Sequence, residues 1–215
     1  MNVLKLDESS HHVVLLQAEQ IIRNGGIAVV PTDTVYGFVG NAADETVVEK
    51  LYSLKRRPEE KPFPIFVKDI AAARRHAYIA DTKASFLEKI WPGPATVIFD
   101  DKGKLPARLT AGRSTLGIRI PDHRFLRGLL EKLPFPLVQT SVNISGASPA
   151  RTVEEIMGYF PDGSLQPDFV VDAGLLEAVP STVIDFTGHG PIIMRSGIMT
   201  KRELDMLLYP AAETG

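Results

Sequence analysis

The sequence predicts an α/β fold, a single domain with a mixed, twisted β-sheet flanked by helices. Three observations carry that prediction. Amphipathic helical segments and short β-branched runs interleave along the whole chain. Pro and Gly clusters punctuate them at turn-forming positions. No shift in composition and no internal repeat marks a boundary, so the 215 residues read as one unit able to bury a sizeable core.

Taken in order, Ser9 or Ser10 can cap a first helix whose apolar face is Val14, Ala18, Ile21 and Ile22, with Gly25 placed to end it. Ile27 to Val30, between a glycine pair and Pro31, reads as a buried strand. It leads into the polar loop Thr32-Asp33-Thr34. Asp44 caps a second helix with Val47, Val48, Leu51 and Leu54 inward, and Pro58 stops it. Phe63–Val67 is a strand. Asp81 caps a helix carrying Phe86, Leu87 and Ile90, which ends at Trp91-Pro92-Gly93-Pro94. Strands follow at Ala95–Phe99 and Thr115–Ile120, separated by a turn-rich, charged stretch. In the second of these, alternation places Leu116, Ile118 and Ile120 on one face and Thr115, Gly117 and Arg119 on the other. Asp122 caps a helix with Phe125, Leu126, Leu129, Leu130 and Leu133 inward. Strand Pro136–Thr140 delivers a second polar loop, Ser141 to Gly146. Thr152 and Glu155 form a capping box for a helix to about Phe160. Strands at Asp168–Val171, Thr182–Phe186 and Pro191–Met194 precede a final helix, opened by Thr200 and Glu203, and a frayed tail after Pro210.

Composition narrows the chemistry. With 44% hydrophobic and 23% charged residues the chain has the make-up of a soluble globular protein. A formal net charge of −2 means that any polyanion site is a local patch. Between Lys50 and His76 there are eight basic residues and three acids, a local excess that can be a solvated face or a pocket mouth. The absence of cysteine removes thiolate catalysis and cysteine-ligated zinc. The five histidines show no metal-ligand spacing. The N-terminus lacks the pattern of a signal peptide, and no apolar run is long enough to span a bilayer, so a cytoplasmic location is expected. There is no Walker A loop, no GxGxxG after a strand and no GxSxG elbow.

What remains is a set of strand-end polar residues and isolated cations: Thr32 and Thr34, Lys55 and Arg57, Thr115 and Arg119, Ser141 and Asn143, Ser181 and Thr182, and Arg195. Short hydroxyls and amides hydrogen-bond a small polar ligand, and Lys with Arg supply charge for phosphates or a carboxylate. Such a set suits a nucleotide with an anionic small molecule.

Ordered motifs sharpen this. Pro31 to Gly37 (PTDTVYG), Lys55-Arg56-Arg57-Pro58, Trp91 to Thr96 (WPGPAT), Thr115 to Pro121, Ser141 to Gly146 (SVNISG), Ser181 to Asp185 (STVID) and Arg195-Ser196-Gly197 occur in that order. Together they resemble the YrdC-like family, the threonylcarbamoyl-AMP synthases, in its short single-domain form. The resemblance implies a YrdC-like domain over residues 10–200, with 201–215 as a C-terminal helix and tail. It implies condensation of L-threonine, bicarbonate or CO2 and ATP into threonylcarbamoyl-AMP and pyrophosphate, helped by Mg²⁺. The product would pass to tRNA through threonylcarbamoyl-transfer proteins, with possible direct contact to tRNA or double-stranded RNA and no membrane partner. By the same resemblance Lys55 and Arg57 are catalytic. ATP would be held by Lys55, Arg57, Lys61, Thr115, Ser141, Asn143 and Arg195, and threonine by Thr32, Thr34, Arg119 and Ser181, with Arg119 on its carboxylate. No protein-held metal is implied. Two positions depart from the family pattern: Phe66 stands where many members have His, and Pro180 where Glu is frequent. Two alternatives stay open: an RNA-binding module without chemistry of its own, and a paralogue acting on another acceptor.

Overall fold

The computed structural model describes residues 1–161, 165–177, 179–188 and 190–208. Among these, ten strands join in one sheet. They are β1 (Asn2–Lys5), β2 (Ala28–Val30), β3 (Gly37–Asn41), β4 (Ile65–Phe66), β5 (Ala95–Asp100), β6 (Thr115–Arg119), β7 (Leu137–Ser141), β8 (Phe169–Asp172), β9 (Thr182–Asp185) and β10 (Ile192–Arg195). The helices are α1 (His11–Arg23), α2 (Glu45–Lys55), α3 (Ile70–His76), α4 (Asp81–Ile90), α5 (Arg124–Lys132), α6 (Val153–Tyr159) and α7 (Lys201–Leu208). The sheet order is β1-β8-β2-β3-β7-β4-β6-β5-β9-β10. Pairs β1/β8, β2/β8, β4/β6 and β5/β9 are parallel. The other neighbours run antiparallel. The sheet is mixed, as the interleaved pattern predicts.

Local chemistry accounts for most element ends. Asp44 accepts from Thr46 N and Val47 N to start α2, and Thr152 accepts from Glu155 N to start α6. Thr200 and Glu203 bond each other's backbone N–H, a reciprocal box at α7. Gly25 takes φ +77° just past α1. Other ends differ from expectation. Ser10 is the N-cap of α1 but its side chain does not cap; Asp7 accepts from Ser9 N and Ser10 N instead. Asp81 is the first residue of α4, after Ala80, and α5 starts from His123 with no side-chain cap. Helix α2 ends because Arg56 turns left-handed at φ 48°, before Pro58 is reached. Three elements went unpredicted: β1, β3 and α3. The tail after Pro210 lies outside the described residues, whereas Leu204 of α7 is buried in the core.

The two faces of the sheet have different fates. On one, register neighbours Val138, Ile65, Ile118, Val97 and Ile184 form an apolar row. That row lies in the larger core, which also takes in residues of α2, α4 and α6. On the other face, Leu137, Phe66 and Arg119 are neighbours. Leu137 and Phe66 belong to a second core with residues of α1 and α5. At Arg119 that cover stops. Thr96, Ile98, Thr115, Gly117 and Val183 join neither core. This bare stretch of sheet carries the site.

Candidate active site

The loop after β2 is built around one hydroxyl. Thr32 Oγ1 accepts from Thr34 N and Val35 N and donates to Val35 O at 2.7 Å, which closes the loop on itself. Thr34 Oγ1 lies 2.8 Å from Thr32 Oγ1. From β6, Arg119 reaches this loop with three donors engaged. Nη1 donates to Thr34 Oγ1 at 3.1 Å, Nη2 to Asp33 Oδ1 at 2.6 Å, and Nε to the Gly93 carbonyl at 3.0 Å. Arg119 is only 2% exposed. Burial pulls its pKa down and the adjacent Asp33 pushes it back up. The Trp91-to-Thr96 turn thus has a task in the site, because the Gly93 carbonyl aims Arg119. Gly93 also lies tight against the end of α4, where a Cβ would fall 2.7 Å from Ile90 O.

At the other polar loop, Lys55 projects from the last turn of α2. Its Nζ donates to Ser141 O at 2.8 Å and Asn143 Oδ1 at 2.5 Å, with Ser141 Oγ at 3.3 Å. Ser141 Oγ also donates to Asn143 Oδ1 at 2.7 Å, and Asn143 Nδ2 holds Ile144 O and Ala147 O. Lys55 is 3% exposed and forms no ion pair among the described residues. Burial, and secondarily Arg57, pull its ammonium pKa down to about 7. Arg57 lies beyond the helix end, with Nε on Lys61 O, Nη2 on Pro62 O and its guanidinium over the Phe63 ring. It fixes the segment that approaches β6, where a Cβ on Gly117 would meet Pro64 Cβ at 3.0 Å.

These elements enclose a cavity of about 440 Å³ on the bare sheet face. Of the predicted site residues, Thr34, Arg57, Lys61, Thr115, Arg119, Ser141, Asn143, Ser181 and Arg195 line it. Thr32 and Lys55 do not; each sits one layer behind, bonded to residues that do. Sequence reasoning passed over Thr96, whose Oγ1 is 3.0 Å from Ser181 Oγ, and Arg113, whose Nη2 donates to Glu60 O at 3.1 Å. Both line the cavity. The alternation of β5 offered a signal for Thr96, while Arg113 lay unmarked in a turn-rich stretch. Gly197 was also undervalued, since a Cβ there would fall 2.2 Å from Pro180 O and 2.5 Å from the Ser181 carbonyl carbon. Its closeness, with Arg195 Nη2 on Ser181 O at 2.8 Å, locks β10 against the Ser181 strand. Phe66 is fully buried and does not line the cavity; Pro180 does.

The charge pattern is one-sided. Arg57, Lys61, Arg113, Arg119 and Arg195 line the cavity, and no carboxylate does among the described residues. Three of the eight basic residues from Lys50 to His76 pair elsewhere: Lys50 with Asp168, Lys68 with Glu131 and Arg74 with Asp81. Among the described residues, no group of three or more His, Cys, Asp or Glu could hold a metal ion, and no helix is long and apolar enough to cross a membrane.

Fold and cleft together define an α/β protein with a cation-lined cleft on an uncovered sheet face. The chain belongs to the Sua5/YciO/YrdC family, whose model, described as "Telomere recombination", matches residues 20–197. It is 34% identical over 205 residues to a Methanocaldococcus jannaschii protein named putative threonylcarbamoyl-AMP synthase, covering 95% of each chain. It is 32% identical to the threonylcarbamoyl-AMP synthase of Bacillus subtilis, across 94% of this chain and 58% of that longer one. Among solved structures, Pyrococcus abyssi Sua5 complexed with L-threonine matches with a TM-score of 0.89 at 26% identity. That match covers 97% of this chain and 61% of the other.

Proposed function

We propose that this chain is a threonylcarbamoyl-AMP synthase, making threonylcarbamoyl-AMP and pyrophosphate from L-threonine, bicarbonate or CO2, and ATP. One observation carries the reading: a cleft lined by five cations and, among the described residues, no acid, with Arg119 clamped at one end and Ser141 and Asn143 held by Lys55 at the other. The names of the relatives and the threonine bound by Pyrococcus abyssi Sua5 support it.

Threonine's ammonium first gives up a proton to water. Its neutral amine then attacks CO2: an N–C bond forms as one C–O π bond opens onto oxygen, and a second proton passes to water to leave a carbamate. A carbamate oxygen then attacks the α-phosphorus of ATP, the bond to the bridging oxygen breaks, and pyrophosphate leaves. The chain contributes position and charge neutralisation. Arg119, Thr34 and Ser181 would hold threonine. Thr115, Ser141 and Asn143 would contact the nucleotide, and Arg57, Lys61 and Arg195 its phosphates, with Arg113 added to that group. Thr32 and Lys55 act through their neighbours. The donor set does not fit a protein-held Mg²⁺, which prefers carboxylate oxygen. An ion arriving with the triphosphate would be held by phosphate oxygens and water. The product would serve tRNA modification through transfer proteins in the cytoplasm.

The test is pyrophosphate release from ATP with threonine and bicarbonate added singly and together. Release that requires both is the expected result. ATP turnover indifferent to threonine would overturn the reading.

A further inference from the structure

The cleft poses an electrostatic problem for the amino acid proposed to enter it. Its field draws in a carboxylate but repels an ammonium, because five cations and, among the described residues, no acid line it. One carboxylate stands against that field, a layer back. Asp33 does not line the cleft; its side chain is 12% exposed and Oδ1 lies 2.6 Å from Arg119 Nη2. Its Oδ2 is buried with no hydrogen-bond partner. A buried ion pair with an open acceptor is weak evidence of a stabilising role, so its presence calls for another one.

Thr34 lines the cleft and ties Arg119 to the loop: its Oγ1 accepts from Arg119 Nη1 at 3.1 Å and lies 2.8 Å from Thr32 Oγ1.

We propose that Asp33 is a positioning residue that makes the amino-acid end of the cleft selective for a zwitterion. The inference rests on the threonine reading above. Asp33 offsets the charge of Arg119 without using up its donors. Gly93, Thr34 and Asp33 take one N–H each, and the remainder are free for a substrate carboxylate. The ammonium enters beside Thr34, where Asp33 has offset the charge of Arg119. Asp33 touches Arg119 and not the substrate, so its influence is through charge and aim.

The experiment is calorimetry on the full chain with three ligands: L-threonine, 2,3-dihydroxybutanoate, which lacks the ammonium, and L-threonine amide, which lacks the carboxylate. Wild type binds either analogue roughly 10- to 100-fold more weakly than threonine, the worth of one charge-assisted contact. In Asp33→Asn, threonine weakens by about tenfold while the hydroxy acid holds or tightens, so their ratio falls toward one. A merely structural role would weaken all three ligands alike. An unchanged threonine-to-hydroxy-acid ratio in Asp33→Asn overturns the proposal. So does a wild type that binds the hydroxy acid as well as threonine, a comparison that needs no folded variant. Wild-type protein that binds no threonine at all overturns the threonine reading, and this inference with it.

Discussion

Lys55 offers a test that separates a buried ammonium from an ordinary phosphate-binding lysine. It is almost fully enclosed, hydrogen-bonded to neutral acceptors, and shifted from 10.5 to about 7 by burial and then by Arg57. In the unfolded chain it keeps its ordinary pKa. Between about pH 7 and pH 10.5 the unfolded state therefore holds a proton that the folded state has begun to release. Stability then rises with pH, at up to about 1.4 kcal/mol per pH unit, and the gain is lost as pH falls toward 7. Tyr36, raised to about 12, works in the opposite sense but only above about pH 10, where unfolded tyrosine ionises. A pH 7–9 window is free of it. Lys55→Met keeps the stem and removes the charge. Urea unfolding of both proteins at pH 7, 8 and 9 should show wild type gaining roughly 1 kcal/mol per pH unit relative to the variant. A phosphate beside Ser141 and Asn143 would raise the Lys55 pKa again, so ATP binding near pH 8 should take up a proton. Calorimetry in two buffers of different ionisation enthalpy reads that uptake. Parallel pH–stability curves for the two proteins would show that Lys55 stays fully protonated, and the argument from burial would fail.

Three further outcomes are expected. Arg119→Lys retains a charge but cannot reach Gly93, Thr34 and Asp33 together, so threonine affinity should fall by about 2–5 kcal/mol in titration calorimetry. Near-wild-type affinity would remove Arg119 from the site. Gly197→Ala drives a Cβ into the Pro180–Ser181 backbone and should cost about 1–3 kcal/mol or more of stability. Gly158→Ala, exposed on α6 with nothing within 4 Å, should gain roughly 0.5–1 kcal/mol; thermal melts that fail to separate the two would refute the close-approach argument. Arg57→Ala should abolish synthesis with little change in RNA affinity, while Arg74→Ala and Arg75→Ala leave initial rates intact. Equal RNA losses and flattened salt dependence across all three, with synthesis preserved, would favour an RNA-binding module instead.

Alternation made the site legible where it was legible at all. In β6 the pattern Thr115, Gly117, Arg119 against Leu116, Ile118 told which face was polar before any fold existed, and that face is the cleft floor. Charge counting left the basic run from Lys50 to His76 open as a solvated face or a pocket mouth, and the run divides between the two: Arg57 and Lys61 line the cavity, while Lys50, Lys68 and Arg74 pair with Asp168, Glu131 and Asp81. The cations that do meet come from residues 57 to 195, a convergence that only the sheet order creates. Strand β3 was hidden by its glycines. Gly40 is there because α2 packs so close that a Cβ would lie 2.6 Å from Val47 Cγ1, and pairing with both β2 and β7 supplies what propensity lacks. Asp33 was invisible as chemistry, since a single acid in a polar loop reads as a turn residue until Arg119 is seen against it.

Every motif puts a residue on the cleft, and several also make contacts that set a neighbouring lining residue in place. The Trp91 turn presents the Gly93 carbonyl to Arg119; Gly197 lies against Ser181; Arg57 holds the carbonyls of Lys61 and Pro62. Each ties one strand or loop to a neighbour that lines the cavity. The bareness of the face follows from the same residues. Covering Arg119, Arg195 and their neighbours with an apolar helix would strip water from several charges at a cost of several kcal/mol each. Helices α1 and α5 cover the face only as far as Leu137 and Phe66. At the next strand Arg119 already needs Asp33, Thr34 and Gly93 to satisfy it. The charges that would recognise an anionic substrate are therefore also what keeps the sheet uncovered for it.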